Sequence, residues 1–517
     1  MTEPSLEVSH GPTQVDRLQE PGRKLKVCQV AATAEGGRWM VEQLRELRDV
    51  YGCDVLAVVG SDKGGLSDNL RANNIPYYAE DFSFDALWSF LRLPATILRL
   101  ARMVRRERVD VVQSHLFVSM LVTRFAAWLA DVPVRLSMYA SPFQLQAPIP
   151  FWMDRATCWM DSTLIPTCQL IIDLCRKMGV RDERLALVHY GPDERRFDPQ
   201  KFEAAKIREE YGWPGDTPLI GQVALFYAEQ HKSRWIPESV HERGIKGFDD
   251  IVNAVPFVLE EIPNAKFLLV GSAFGEAGQA HLDYIKVLVN RLGLKDSVIF
   301  TGYRPDVNEV LRALDVALQV SLVECLGGAV ESLLMERPTV ATRVGGMVDI
   351  VRDGETGILV EPSNPRDLAR GILQMLRSGE QGKAMGQAGR KLILERFTLR
   401  STAASLFELF TRLRGNRRGY NLLLYPWRAI VASLVYGYIV ARYALLELLP
   451  IYLPFYASRI KYLAHRNCYR LRNSFTSRYY RTYYRTRRVG YRMLLPVWRA
   501  LPENSRLRIK HSLGKPD

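Results

Sequence analysis

One short segment combines the residue types that are needed to hold an anionic ligand. It runs from Ser321 through Gly327 and Gly328 to Glu331, and it leaves a predicted strand to enter a predicted helix. Unpaired N–H groups at a helix start can bind a diphosphate, and glycine lets the ligand approach them closely. Glu324 and Glu331 flank the glycines, where they could accept hydrogen bonds from sugar or ribose hydroxyls. The alternative is a solvated helix start, because the helix dipole alone favours glutamate there.

Three further features could contribute to the same chemistry, although each also has an ordinary structural explanation. Gly36 and Gly37 follow the opening strand and precede a helix, where they would let a backbone approach a ligand or simply form a tight turn. Lys246 could neutralise the charge of a departing diphosphate, or it could be a surface lysine. His115 follows a predicted strand at its carboxyl end, where ligands of open α/β sheets gather.

The elements that must position these residues alternate between short apolar strands and amphipathic helices from residue 24 to about residue 397. Uniformly apolar runs such as Phe267–Val270 are typical of parallel strands that are covered on both faces. The sequence therefore predicts doubly wound sheets. The predicted strands are Leu25–Val30, Val55–Val59, Val109–Gln113, Val134–Met138, Ser162–Ile165, Leu185–His189, Leu219–Leu225, Lys266–Val270, Val298–Phe300, Val316–Val320, Thr339–Ala341 and Gly357–Val360.

The alternation pauses in the polar stretch 191–217 and then starts again, which favours two α/β domains of similar size that face a cleft. The prediction divides the chain into a disordered leader (1–23), a first Rossmann-like domain (24–200), a second (201–397), a closing helix (398–415) and a helical tail (416–517). The charged interval 227–244 is predicted to be a surface loop insertion in the second domain.

Composition separates the body of the chain from its tail. Residues 411–517 contain 22 lysines and arginines but three acidic residues, so the tail carries a net charge of +19 and the rest of the chain −5. The seven scattered cysteines have no CxxC spacing, which favours a reducing compartment and argues against a disulfide framework or a zinc site. Residues 1–23 have no apolar core of the kind that a signal peptide needs.

The tail pairs aromatic residues with arginine. Its longest uncharged run, Ala429–Ala441, is too short for a clean transmembrane helix. Tyrosine, tryptophan and arginine together suit the headgroup zone of an anionic bilayer, and Arg478–Arg488 repeats the pattern. Nucleic-acid binding is the less favoured interpretation, because the apolar stretch has no use there. Packing on the acidic body or on another copy is the plain alternative.

Several motifs together resemble one enzyme family. They are Asp110–His115, His189–Phe197 and Gly247–Phe248, followed by the long block from Glu324 through Pro338 and Gly345 to Val360, in order and at the usual spacing. Residues 24–415 resemble the family 4 glycosyltransferases, which are retaining enzymes of the GT-B fold with two Rossmann-like domains. The resemblance implies that the chain transfers sugar from a nucleotide-sugar donor.

The resemblance also implies roles for individual positions. His115 is similar to the histidine that lies over the donor sugar, and Lys246 to the lysine that binds the diphosphate. Glu324 is similar to the acidic residue beside the sugar, and Glu331 to the residue that holds the ribose. The remaining binding positions are Gly36 and Gly37 near the phosphates, the amides of Gly327, Gly328, Ala329 and Val330 around the diphosphate, and Tyr303 and Arg304 near the base.

Two positions depart from the family pattern. Six residues separate Glu324 from Glu331 where the family usually has seven, and the shift falls on Glu324. The family also places an arginine after the first strand of the second domain, where this chain reads Leu225-Phe226-Tyr227. Arg243, or another cation of the insertion, could substitute for it.

These features lead to one expected function with two alternatives. We expect a glycosyltransferase at the cytoplasmic face of the membrane that uses a UDP- or GDP-sugar and a lipid-linked or polysaccharide acceptor. No Asp-x-Asp occurs, and no metal or other cofactor is expected. The alternatives are a GT-B protein that binds without catalysing, and a sugar-nucleotide epimerase. Sugar, base and linkage stay open because they depend on the shape of the pocket.

Overall fold

The computed structural model of the chain describes residues 24–83, 87–415 and 425–444. By its internal contacts the chain divides into a larger unit that ends at Ala429 and a smaller one that begins at Ile430. The predicted leader (1–23) and the Arg478–Arg488 repeat lie outside the described residues, as does most of the basic tail.

The first domain is built on a six-stranded parallel sheet with the strand order β3-β2-β1-β4-β5-β6. Five of its strands are buried along nearly their whole length, because helices cover both faces of the sheet. The strands are β1 Lys26–Ala31, β2 Asp54–Val59, β3 Tyr77–Ala79, β4 Val111–His115, β5 Val134–Tyr139 and β6 Thr163–Pro166. The helices are α1 Arg38–Asp49, α2 Gly65–Ala72, α3 Leu87–Arg106, α4 Phe117–Leu129, α5 Phe143–Gln146, α6 Pro148–Thr157 and α7 Gln169–Lys177.

The second domain repeats this architecture with the strand order β12-β11-β10-β7-β8-β9, again all parallel. The strands are β7 Leu219–Val223, β8 Lys266–Val270, β9 Val298–Gly302, β10 Val316–Gln319, β11 Thr339–Thr342 and β12 Ile358–Val360. The helices are α8 Ala205–Tyr211, α9 Phe248–Leu259, α10 Gly275–Arg291, α11 Val307–Ala313, α12 Ala329–Leu334, α13 Met347–Ile350, α14 Pro365–Arg377 and α15 Glu380–Arg396. Pro256 is accommodated inside α9.

After α15 the chain returns to the first domain. Helix α16, Leu399–Gly415, places Leu406, Phe407 and Phe410 in the first domain's core beside the β1 and β2 side chains. The crossing is tight at Gly191, where a Cβ atom would overlap the backbone of Phe397. The final described helix, α17, spans Tyr425–Tyr443. In the described parts of the chain, no helix combines the length and apolar character that crossing a bilayer requires.

The predicted architecture of two doubly wound α/β domains is confirmed, with two local corrections. The edge strand β3 was not predicted, because Tyr77–Ala79 has three residues and no apolar run around it. The predicted strand Leu185–His189 is wrong, since this segment makes a single bridge from Leu185 to Leu164. The segment still runs beside β6, since the N–H groups of Ala186 and Val188 donate to the carbonyls of Leu164 and Pro166, but it forms no continuous ladder. Further along the chain, Asn308 Nδ2 of the second domain donates to the carbonyl of Arg196.

Candidate active site

Most of the candidate residues of both domains lie at the two topological switch points. In the second sheet β10 and β7 are neighbours, and the loops after them carry Glu324 and Lys246. In the first sheet β4 and β1 are neighbours, and the chain after them carries the Gly36–Gly37 turn, with His115 at the end of β4. Open α/β sheets bind ligands at such points, outside the carboxyl ends of the strands. Four segments that are distant in sequence thus line corresponding edges of the two sheets.

Lys246 and Glu324 form an ion pair between the two loops of the second domain. Lys246 Nζ donates to Glu324 Oε2, and the two side chains are 19% and 15% exposed. Glu324 is further held by the backbone N–H of Cys325, 3.2 Å from Oε1, and by the Ser321 hydroxyl. Burial lowers the pKa of Lys246, but the Glu324 carboxylate outweighs burial and the net shift is upward. The lysine is therefore a fixed cation at neutral pH, beside a carboxylate.

The glycine loop is shaped by close backbone approaches. Gly327 has φ +49°, and a Cβ atom there would lie 2.9 Å from the carboxyl carbon of Glu324. Behind the loop, Gly345 has φ +52° and approaches the carbonyl of Glu324 so closely that no side chain fits. Helix α12 begins directly after Gly328, whose backbone is its N-cap. Backbone N–H groups and Glu324 are thereby presented on one short turn.

Glu331 lies in the first turn of α12 and faces charged residues from other parts of the chain. Burial raises its pKa; Arg196 and Arg38 lower it, whereas Glu42 adds to the rise. Glu42 itself receives Nε of Arg38 at 2.8 Å and Nη1 of Arg196 at 3.5 Å. A half-buried carboxylate in this position can accept hydrogen bonds from paired hydroxyls of a ligand.

His115 is completely buried at the end of β4. The ring of Trp39 covers it with 4.5 Å between ring centroids, and neither imidazole nitrogen has a partner in the described parts of the chain. Burial lowers the pKa of His115 to about 3. The imidazole is therefore neutral at physiological pH. A role for Trp39 was not predicted from the sequence. Its position directly after the glycine turn and Arg38 was the signal that could have pointed to it.

The Gly36–Gly37 turn is braced against the following βα connection. Both glycines have positive φ, +68° and +64°, and α1 begins after them. Glu35 Oε2 accepts from the backbone N–H of Gly65 at 3.1 Å. A Cβ atom at Gly37 would overlap Leu66, whereas one at Gly36 would meet open space. The open side of this turn is therefore at Gly36.

The two residues that are expected near the base differ in their environments. Tyr303 is strongly exposed just beyond the end of β9. Arg304 is engaged by Glu210 and Asp306, and hydrogen bonds to these two carboxylates raise its pKa. Tyr303 thus presents an open ring, while Arg304 holds the turn in place.

Arg243, the suggested substitute for the family's arginine, is held by another group. Its Nη2 lies 2.6 Å from Oδ1 of the buried Asp250, and its Nη1 donates to Ser363. In this conformation its charge is neutralised by Asp250.

The insertion 227–244 does more than form a surface loop. Val240 is fully buried against Leu322 and Val323 of the glycine-loop segment. The carbonyl of Arg234 accepts from the N–H of Ile149 at 2.9 Å, and Trp235 packs edge-on against Phe117. The insertion therefore links the site loop of the second domain to α4 and α6 of the first.

Known proteins resemble this chain across both domains. The model of the glycosyl transferase 4-like domain matches residues 11–191, and that of the glycosyl transferases group 1 matches residues 239–392. The N-acetyl-alpha-D-glucosaminyl L-malate synthase of Bacillus anthracis is 31% identical over 305 residues, which cover 58% of this chain and 74% of that enzyme. This chain belongs to the family 4 glycosyltransferases. It is a glycosyltransferase, as its motifs predicted.

Two further relatives of this glycosyltransferase are informative. The GDP-mannose-dependent alpha-(1-6)-phosphatidylinositol monomannoside mannosyltransferase of Mycolicibacterium smegmatis is 30% identical over 45% of this chain and 58% of that enzyme. The structure of Anabaena Alr3699/HepE in complex with UDP superimposes with a TM-score of 0.61 at 18% identity, over 75% of this chain and all of that one. The structural likeness confirms the predicted GT-B fold.

Proposed function

We propose that this glycosyltransferase moves a sugar, with retention of configuration, from a UDP- or GDP-sugar to a lipid-linked or polysaccharide acceptor at the cytoplasmic face of the membrane. The observation that carries the proposal is the Lys246–Glu324 pair beside the glycine loop, at the switch point of the second sheet. The relatives support the donor class, since one is called GDP-mannose-dependent and the structure of another is a complex with UDP.

In the proposed site the diphosphate lies between Lys246 and the backbone N–H groups of Gly327 to Val330. Lys246 is a cation whose side chain is already mostly buried. It can therefore compensate the charge that develops on the leaving diphosphate without a rearrangement of water. Glu324, released from part of its pairing with Lys246, accepts hydrogen bonds from donor-sugar hydroxyls. Glu331 accepts hydrogen bonds from the ribose.

Retention is proposed to follow from attack on the face that the diphosphate leaves. The acceptor oxygen forms a bond to the anomeric carbon as the bond from that carbon to the phosphate oxygen breaks. The acceptor's proton passes to the departing phosphate oxygen, so no protein base is needed. His115 is neutral and completely buried beneath Trp39, so in this conformation it neither transfers a proton nor contacts the sugar directly. The protein contributes orientation and a fixed positive charge.

Metal independence is part of the proposal. Within the described ranges, no group of three histidine, cysteine, aspartate or glutamate side chains is close enough to hold a metal ion. We expect transfer to continue in a chelator. Loss of turnover that magnesium or manganese restores would contradict this.

The deciding experiment is an isothermal titration of the full chain with UDP-, GDP-, ADP- and dTDP-sugars, followed by product analysis. We expect heat with one base class and, with a suitable acceptor, a product of unchanged anomeric configuration by NMR. Donor isomers that accumulate without an acceptor would instead indicate an epimerase. Binding without any turnover would indicate the non-catalytic alternative.

A further inference from the structure

Helix α17 presents an exposed face that carries no charge. The exposed positions of this helix follow helical spacing, so they form one face: Pro426, Trp427, Ile430, Ser433, Leu434, Gly437, Tyr438 and Ala441. Four of these are large apolar or aromatic residues, with exposed fractions between 51% and 69%. The other large exposed apolar side chains of the described residues are spread over many elements. Scattered exposure is ordinary, but a contiguous stripe marks an interaction surface.

The charged residues of α17 lie off this face. Arg428 is half-buried, with Nη2 2.6 Å from Oδ1 of Asp131 and Nη1 2.6 Å from the carbonyl of Trp128. Arg442 is also half-buried, and its Nη1 donates to the hydroxyl of Tyr438 at 2.9 Å. The two arginines of α17 therefore lie off the exposed face, which is formed by uncharged and largely apolar side chains.

We infer that this face of α17 lies in the interfacial zone of an anionic bilayer. Tryptophan and tyrosine have an apolar body and a polar edge, which suits the headgroup boundary. The 22 basic and three acidic residues of 411–517 surround the face in sequence, and anionic lipid attracts such a segment. A contact between two copies would instead bring together two segments of like charge. The inference rests on the proposed function for its meaning, because a lipid-linked acceptor would be held in the same membrane.

The test compares two double variants of the full chain in vesicle flotation. Ile430→Asn with Leu434→Asn changes the face, and Val287→Asn with Leu394→Asn makes the same kind of change at exposed positions of α10 and α15. The vesicles contain equal parts of phosphatidylcholine and phosphatidylglycerol, with phosphatidylcholine alone as the neutral comparison. We expect the wild type to float with the anionic vesicles. The first variant should bind at least about tenfold more weakly, because two apolar side chains no longer enter the interface, and the second should bind like the wild type.

Other outcomes overturn the inference. A wild-type chain that stays at the bottom, or a face variant that floats like the wild type, would show that this face does not contact lipid. A lipid-free dimer that the face variant converts to a monomer in light scattering would assign the face to a second copy. A fall in melting temperature with unchanged flotation would assign it to the chain's own tail. Donor titration of the same variants reports the proposed function separately, because it requires no lipid.

Discussion

The two domains share a topology, but they present different chemistry at their switch points. The second domain offers an ion pair, Lys246 with Glu324, and a glycine turn that leads directly into α12. The first offers His115, buried without a hydrogen-bond partner in the described structure beneath Trp39. Under the proposed function, the charged edge binds the diphosphate and the neutral packed edge keeps water away from the sugar. One half of the site would then supply electrostatic stabilisation and the other half shape.

The largest effect should come from removing the cation. We expect Lys246→Ala to reduce kcat/KM at least about 10²-fold, since it removes the fixed charge beside the leaving diphosphate. Lys246→Arg should restore part of the loss. Steady-state transfer assays measure both, and an alanine variant within a few-fold of the wild type would mean that the charged edge is not where the diphosphate leaves.

Glu331→Ala should also cost at least about 10²-fold in activity, through the loss of the ribose contacts. A pH series sharpens this prediction. Because the pKa of Glu331 is raised, its carboxylate takes up a proton at a higher pH than an ordinary glutamate, and donor affinity should fall as pH drops through that pKa. Titration of Glu331→Gln should show weak binding and a flatter pH profile. A variant with the wild-type pH profile would contradict this role.

Gly327→Ala should reduce activity by about tenfold, because it combines an unfavourable left-handed backbone with a contact on Glu324. Gly354→Ala is the matched control, with φ +78° and open space around its Cβ position. Both variants should lose a similar amount of stability in urea unfolding. Only the first should lose activity; equal losses of activity would indicate a general effect of backbone strain.

The last prediction concerns stability instead of activity and tests the neutral edge. His115 has a folded-state pKa of about 3, whereas the unfolded value is about 6.5. The unfolded chain therefore binds a proton that the folded chain excludes, and the free energy of unfolding should fall as pH drops from about 6.5 towards 3. Urea unfolding of His115→Gln should show a shallower fall over this window. An unchanged slope would mean that His115 is protonated in the folded chain.

Sequence patterns predicted the architecture well. Parallel strands such as Phe267–Val270 are apolar throughout, and the apolar residues of the helices recur every three to four positions. They failed at β3 and at Leu185–His189, where three residues and a five-residue run gave no reliable periodicity. Edge strands and inter-domain crossings depend on distant contacts that local patterns do not contain.

The same limit applies to the site. The sequence predicted Lys246 and Glu324 as separate candidates, but their pairing joins residues that are 78 positions apart. The insertion was expected at the surface, yet its Val240 is fully buried against Leu322. Trp39 over His115 could not be predicted, because it joins α1 to the end of β4. The residue types indicated which chemistry was possible, whereas the contacts between the residues could be seen only in the folded structure.

The most direct test of the central claim is a crystal structure of the full chain with the nucleoside diphosphate, UDP or GDP, that calorimetry selects. We expect the diphosphate within hydrogen-bond distance of Lys246 Nζ and of the backbone N–H groups that follow Gly327, with the ribose hydroxyls on Glu331. A nucleotide bound elsewhere, or a diphosphate at this edge that leaves the Lys246–Glu324 pair untouched, would contradict the account.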